Sequence, residues 1–182
     1  MGAKPLISAL VVAFAVGSLA GCSDDGQAFL VGTEGVNAGS VVDGDTFRLE
    51  DGRSIRLLQI DAPEYRECYS RAATSALVRL IPHGSIVVLV HDPFLDTQDK
   101  YGRLLRYVSA EGVRPRAQIN IELVRQGAAV PYFFRGQRGT YADELLAAAK
   151  VARRERRGLW GACPGAKLDP NRGALTGRAR PS

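Results

Sequence analysis

The stretch Val41–Glu64, VVDGDTFRLEDGRSIRLLQIDAPE, decides how this chain is read. It sets Asp43, Asp45, Asp61 and Glu64 beside Arg48, Arg53 and Arg56, in and at the ends of two runs that read as β-strands. Strands that only fill a core do not need so many charges at their ends. Two readings stand: a solvated hairpin, or a site for a cation and a phosphate. The runs are Val41–Glu50 and Ser54–Ile60, joined by EDGR at Glu50–Arg53. An Asp-Gly pair between strand-like runs favours a tight turn, because glycine tolerates positive φ. Pro63 then stops the second strand, since it has no N–H to give to a ladder.

Upstream of that stretch, Lys4 precedes PLISALVVAFAVGSLA, a positive start followed by an apolar middle and small residues. That is the pattern of a secretory leader. The run is short for a membrane span, which takes about 20 residues; a single anchor helix is the other reading. LAGC at Leu19–Cys22 resembles the lipobox of bacterial lipoproteins. The resemblance implies a signal peptide over 1–21, lipid attached to Cys22, and an exported chain anchored at the bacterial cell envelope, on its periplasmic or outer surface. Outside the cytoplasm disulfides persist. Cys68 and Cys163 are the two remaining cysteines; a bridge between them is expected, against the alternative of two unrelated thiols.

The 182 residues suit one ordinary domain, and the formal net charge of +5 suits an anionic partner without requiring one. Residues 22–38 read as a tether, with Ala28–Val31 a candidate start of a first strand. The domain is expected over 39–163, and the Pro-, Gly- and Arg-rich residues 164–182 read as a disordered tail. Ala73, Leu77 and Leu80–Ile81 share one face of a helix over Ser70–Ile81, which Pro82 and Gly84 end. SIVVLVHD and RLLRYVSA read as strands, and helices follow over Ala117–Arg125 and Tyr141–Arg157. The basic run Arg153–Arg157 complements the dipole at a helix C-terminus. Strands with tight turns and a helix between the third and fourth predict an α+β fold: a five-stranded OB-fold β-barrel with three α-helices.

Phosphodiester cleavage needs a charge to neutralise the phosphate, a base for the attacking water, and donors for the transition state. Asp45 and Asp61 are hard oxygen ligands suited to Ca²⁺ or Mg²⁺. The DGDTFRLEDGRS segment does not fit an EF-hand, so a cation there needs the tertiary fold to bring its ligands together. Glu64, on a proline-stiffened turn, is the candidate base. Arg56 and Arg103 are candidate phosphate clamps, because a guanidinium fork matches two phosphate oxygens. His83 and His91 have no triad partner by motif, no Gly-x-Ser-x-Gly occurs, and no Cys-x-x-Cys occurs.

VVDGDTFRLEDGRSIRLLQIDAPE, DKYGRLLRYV, NIELVRQGAA and GLWG resemble the staphylococcal nuclease family over roughly Gly39 to Trp160. The resemblance implies an OB-fold barrel with three helices that cleaves DNA and RNA with Ca²⁺. It implies that Asp45, Asp61 and the backbone carbonyl of Ala62 hold the metal, with Asp43 nearby through water. It makes Glu64 the general base and Arg56 and Arg103 the phosphate grip. Lys100 and Tyr101 would meet a neighbouring phosphate, and Tyr132, Phe133 or Phe134 in VPYFF would stack on bases. Alanine at position 62, where many relatives carry threonine, keeps the carbonyl and loses a hydroxyl. The competing expectations are a non-catalytic nucleic-acid-binding OB-fold module on an envelope lipoprotein, and a structural lipoprotein with a dead barrel. No protein partner is implied.

Overall fold

The computed structural model describes residues 1–2, 33–110 and 117–175. Cys22, the leader from residue 3 onward, and Ala28–Val31 lie outside the described residues. The strands are β1 (Thr33–Val41), β2 (Thr46–Leu49), β3 (Ser54–Leu57), β4 (Ile60–Asp61), β5 (Ile86–Val90), β6 (Leu104–Ala110), β7 (Val130–Pro131), β8 (Lys167–Asp169) and β9 (Gly173–Leu175). The helices are α1 (Ser70–Leu80), α2 (Gln118–Arg125), α3 (Ala142–Arg154) and the single turn α4 (Leu159–Ala162).

The Asp-Gly turn forms where its residues place it. Gly52 takes φ +90°, its N–H donates to the Leu49 carbonyl at 3.0 Å, and Asp51 accepts from the Arg53 N–H. β2 and β3 therefore pair antiparallel with Thr46 opposite Arg56. Phe47, Leu49, Ile55 and Leu57 point inward and are buried, while Arg48 stands in solvent. β3 runs parallel to β6, β6 antiparallel to β5, and β5 antiparallel to β1, so the order β1-β2-β3-β6-β5 closes a barrel. Closure removes every strand edge from the barrel, which an open five-stranded sheet would have had to protect. The five-stranded OB-type barrel with three longer helices, α1 to α3, is the α+β architecture the element order predicts.

Two segments differ from the sequence-based boundaries. Residues 33–38, assigned to the tether, are the first half of β1, paired with β5 from Thr33 opposite Val90 to Asn37 opposite Ile86. Gly35 and Asn37 give this run a weak strand signal, but barrel closure needs a strand between β2 and β5, and that tertiary demand overrides propensity. Residues 167–175, assigned to the tail, form the β8–β9 hairpin with Leu168 opposite Ala174. Leu168 packs against the apolar residues beneath it.

Cys68 and Cys163 form a disulfide across a sequence separation of 95 residues. It fastens the segment after Glu64 to the end of α4, beside buried Leu159 and Val130. Cys163→Ser is expected to lower stability in urea by about 4 kcal/mol, the cost of reopening so long a loop in the unfolded chain. A change below about 1 kcal/mol would show that the bridge adds nothing beyond the packing around it.

Candidate functional site

Asp45 sits in the turn between β1 and β2, only 6 % exposed. That turn lies against α1 because residue 44 is glycine. A β-carbon there would come within 2.6 Å of the Ala62 side chain and 2.9 Å of the Ala73 side chain. The close approach brings the Ala62 N–H to 2.8 Å from Asp45 Oδ2. On the other oxygen, Asp45 Oδ1 accepts from Thr46 Oγ1 at 3.0 Å and faces Arg56 Nε at 3.0 Å. Burial pushes the Asp45 carboxyl up to about 7 against the pull of the Arg56 guanidinium, and the charges of Asp43 and Asp61 add to the rise. Asp43 also accepts the Asp45 N–H on its Oδ1.

Asp61 reaches the same guanidinium from a different strand. In a straight strand, residues 56 and 61 would lie about 16 Å apart and point to opposite faces. The chain breaks that geometry at Gln59, whose backbone is left-handed at φ +57°. The Gln59 amide is buried and fixes the bend: Nε2 donates to the Gln137 carbonyl, and Oε1 accepts from Tyr107 Oη and the Gly139 N–H. Beyond the bend, β4 leaves the barrel and pairs with β7, Asp61 opposite Val130. Asp61 Oδ1 then lies 3.0 Å from Arg56 Nη2. Two carboxylates, 16 residues apart in the chain, thus share one arginine.

Arg56 is more committed than a free clamp. Besides Asp45 and Asp61, its Nη1 donates to the Leu57 carbonyl at 2.7 Å and to the Ile60 carbonyl at 2.6 Å. A guanidinium has five N–H groups, and these four contacts leave a single Nη2 hydrogen for an outside anion. The two-oxygen grip expected of Arg56 is thus reduced to one bond. Arg103 is better placed for the forked grip. Asp99 takes its Nε at 2.7 Å, and Nη1 has only a long contact, 3.4 Å, to the Thr46 hydroxyl. Thr46 in turn bonds Asp45, so both arginines meet the same acid cluster.

Glu64 follows Pro63 on an exposed turn, held by its N–H donating to Glu67 Oε2 at 2.9 Å. Its carboxyl is raised above the ordinary glutamate range by partial burial, then by the nearby charges of Asp61 and Asp43. Among the described residues, no group of three or more His, Cys, Asp or Glu is gathered like a ready-made metal cage. Arg56 instead stands between the two carboxylates of Asp45 and Asp61.

A cleft of about 500 Å³ opens beside Arg56 and Arg103, bounded by Lys100, Tyr101, Tyr132 and Phe134. Tyr101 is 72 % exposed and lies under both the Lys100 ammonium and the Arg103 guanidinium, at 4.9 and 5.5 Å from its ring. Phe134 is 52 % exposed. Phe133, expected among the stacking residues, is instead buried, and its N–H donates to the Pro170 carbonyl. Phe133 is extended and a 3₁₀ turn begins at Phe134, so Tyr132 and Phe134 take the cleft while Phe133 is buried.

The family model described as "Staphylococcal nuclease homologue" matches residues 54–162. The chain belongs to the staphylococcal nuclease family. An uncharacterized endonuclease of Escherichia coli is 34 % identical over 124 residues, which span 66 % of this chain and 72 % of that protein. Protein ParB of Escherichia coli is 32 % identical over 129 residues, 66 % of this chain and 68 % of its own. A probable staphylococcal-like nuclease, CAN1, of Oryza sativa subsp. japonica is 34 % identical over 108 residues, 59 % of this chain and 29 % of its own. The match to the staphylococcal nuclease family takes in Arg56, Asp61, Glu64 and Arg103, while Asp43 and Asp45 come from the turn just ahead of it.

The buried acid sets an expected pH response. In chelator, the folded chain keeps the Asp45 proton up to about pH 7, whereas an ordinary aspartate releases it near 3.8. Between those values the folded state binds more protons, so stability drops as pH rises through the window. Melting curves of the wild type and Asp45→Asn should therefore diverge from about pH 4 to about pH 7, with the wild type losing ground. Parallel curves would mean that Asp45 is ionised throughout.

Proposed function

We propose that this protein is a calcium-dependent endonuclease that hydrolyses phosphodiester bonds of DNA and RNA. The observation that carries the reading is the meeting of Asp45 and Asp61 at one guanidinium, with Glu64 on the adjoining turn and Arg103 one hydroxyl away. The names borne by two relatives, an endonuclease and a staphylococcal-like nuclease, support it.

The donor set suits a hard divalent cation. Burial pushes Asp45 up, the charges of Asp43 and Asp61 add to the rise, and a cation beside the three would favour their ionised forms. Asp45, Asp61 and the Ala62 carbonyl would hold calcium, with Asp43 within reach through water. When bound, the ion supplies positive charge for the scissile phosphate. The chain's own groups do the rest. Glu64, raised above the ordinary glutamate range and open to solvent, takes a proton from the attacking water. Arg103 grips the phosphate with its outer nitrogens, and Arg56 gives one N–H while holding the acids in place. Lys100 and Tyr101 meet a neighbouring phosphate at the mouth of the cleft. Tyr132 and Phe134 offer ring faces to unpaired bases, each worth about 1–3 kcal/mol.

We further infer an exported chain held at the cell envelope by lipid on Cys22. Leu19–Cys22 supports this, as does the Cys68–Cys163 bridge, which suits an oxidising compartment.

Single-stranded DNA and RNA should be cut in the presence of added calcium and left whole when a calcium chelator is present. Cutting that persists in chelator would remove the metal from the mechanism. Tight binding without any cutting would make the barrel a binding module.

A further inference from the structure

The β8–β9 hairpin lies beyond the residues that the family model matches, yet it touches the centre of the site. Gly173 is the contact. A β-carbon at this position would collide with Asp61 Oδ2 and fall 2.9 Å from its Cγ. The residue also takes φ +80°, a backbone that glycine alone adopts without strain. No other residue could lie against the carboxylate this way.

The rest of the hairpin is built to keep that contact in place. Asp169 stands opposite Gly173, and the turn between them is closed by Asp169, whose Oδ1 accepts the Asn171 N–H and whose carbonyl accepts the Arg172 N–H. Pro170 takes the Phe133 N–H through its carbonyl, which ties the turn to the strip carrying Tyr132 and Phe134. Leu168 anchors the near strand in apolar packing. Shortly after the disulfide at Cys163 the chain enters this segment, so its base is fixed as well.

We propose that the hairpin is a positioning element for Asp61, with Gly173 as the residue through which it acts. Arg56 holds one carboxylate oxygen and the Gly173 backbone lies close against the other, which limits how far the carboxyl can turn. The inference rests on the calcium reading above and deepens it: the hairpin sets how tightly the site takes the ion. Groups that orient a metal ligand without touching the metal commonly govern affinity in this way.

The test compares Gly173→Ala with Gly165→Ala in the mature protein. Gly165 has the same φ of +80°, but a β-carbon added there would meet nothing within 4 Å, so its alanine variant carries the backbone strain without the collision. Calcium binding is measured by titration calorimetry, and the calcium midpoint of DNA cleavage alongside it. Gly173→Ala should weaken calcium binding by about tenfold to a hundredfold, with Gly165→Ala close to wild type. Leu168→Ala, which loosens the hairpin without touching Asp61, should shift the midpoint the same way and serves if Gly173→Ala does not fold. At saturating calcium the cleavage rate should recover, since the substrate contacts are intact. Unchanged or tighter calcium binding in Gly173→Ala, or an equal loss in Gly165→Ala, overturns the proposal alone. A wild type that binds no calcium overturns it together with the calcium reading.

Discussion

Arg56→Ala is expected to lower stability by about 3–5 kcal/mol, the usual cost of breaking a buried ion pair from one side. It is expected to lower kcat by about a hundredfold or more at saturating calcium, as for other lost transition-state donors. The stability loss follows from what the side chain does in the folded chain. Its side chain is 13 % exposed, and the guanidinium ties together Asp45, Asp61 and two backbone carbonyls. Without it, Asp45 faces Asp61 with no cation between them and holds its proton to a still higher pH, and the Leu57 and Ile60 carbonyls lose a donor. Urea melts in chelator isolate this effect. Added calcium should restore part of the lost stability, because the ion replaces the missing positive charge. Arg56→Lys should not rescue the protein, since three donors on one nitrogen cannot reach two carboxylates and two carbonyls at once. A variant as stable as wild type in chelator would show that the four contacts are not present together in solution.

Glu64→Gln is expected to reduce kcat by about a hundredfold to ten-thousandfold and not to lower the melting temperature, since it removes a charge that Asp61 and Asp43 repel. Its side chain is exposed, so no packing is lost with the charge. The acid limb of the wild-type rate profile should follow this carboxyl, which burial and then the charges of Asp61 and Asp43 raise in the metal-free chain and which bound calcium would draw back down. The sign follows from the chemistry: a base works only when deprotonated, so a raised group needs a higher pH before it can act. In Glu64→Gln that limb should disappear. A full-rate variant would reassign the base; a variant with low rate and an unchanged limb would mean that another group titrates.

The acids and arginines of this site are legible in the sequence because each sits at a strand end that local signals define. The Asp51–Gly52 turn sets the register that puts Thr46 opposite Arg56, and Pro63 fixes where Glu64 begins. What the sequence hides is the bend. Gln59 carries no glycine or proline signal, and SIRLLQI reads as one strand until the buried amide network around Gln59 is seen. The same lack of a local signal hides the break between β3 and β4, and conceals β7, whose two residues have no periodicity to detect. Phe133 is misread for a related reason: VPYFF fixes an alternation but not its phase, and the Pro170 contact that sets the phase lies 37 residues further on. The β8–β9 hairpin is not legible from composition, since its residues are those of a solvated tail until they meet Asp61.

The bend at Gln59 also joins folding to chemistry. The barrel strands end at Leu57 on one side of it, and the acid lies at Asp61 on the other. Losing one residue of Leu58–Ile60 would turn Asp61 away from Arg56, and it would also break the Leu58 backbone bonds to Arg106 and Asn120 or the Gln59 amide network. The spacing between Leu57 and Asp61 is thus fixed twice over, by the core it fills and by the acid it delivers.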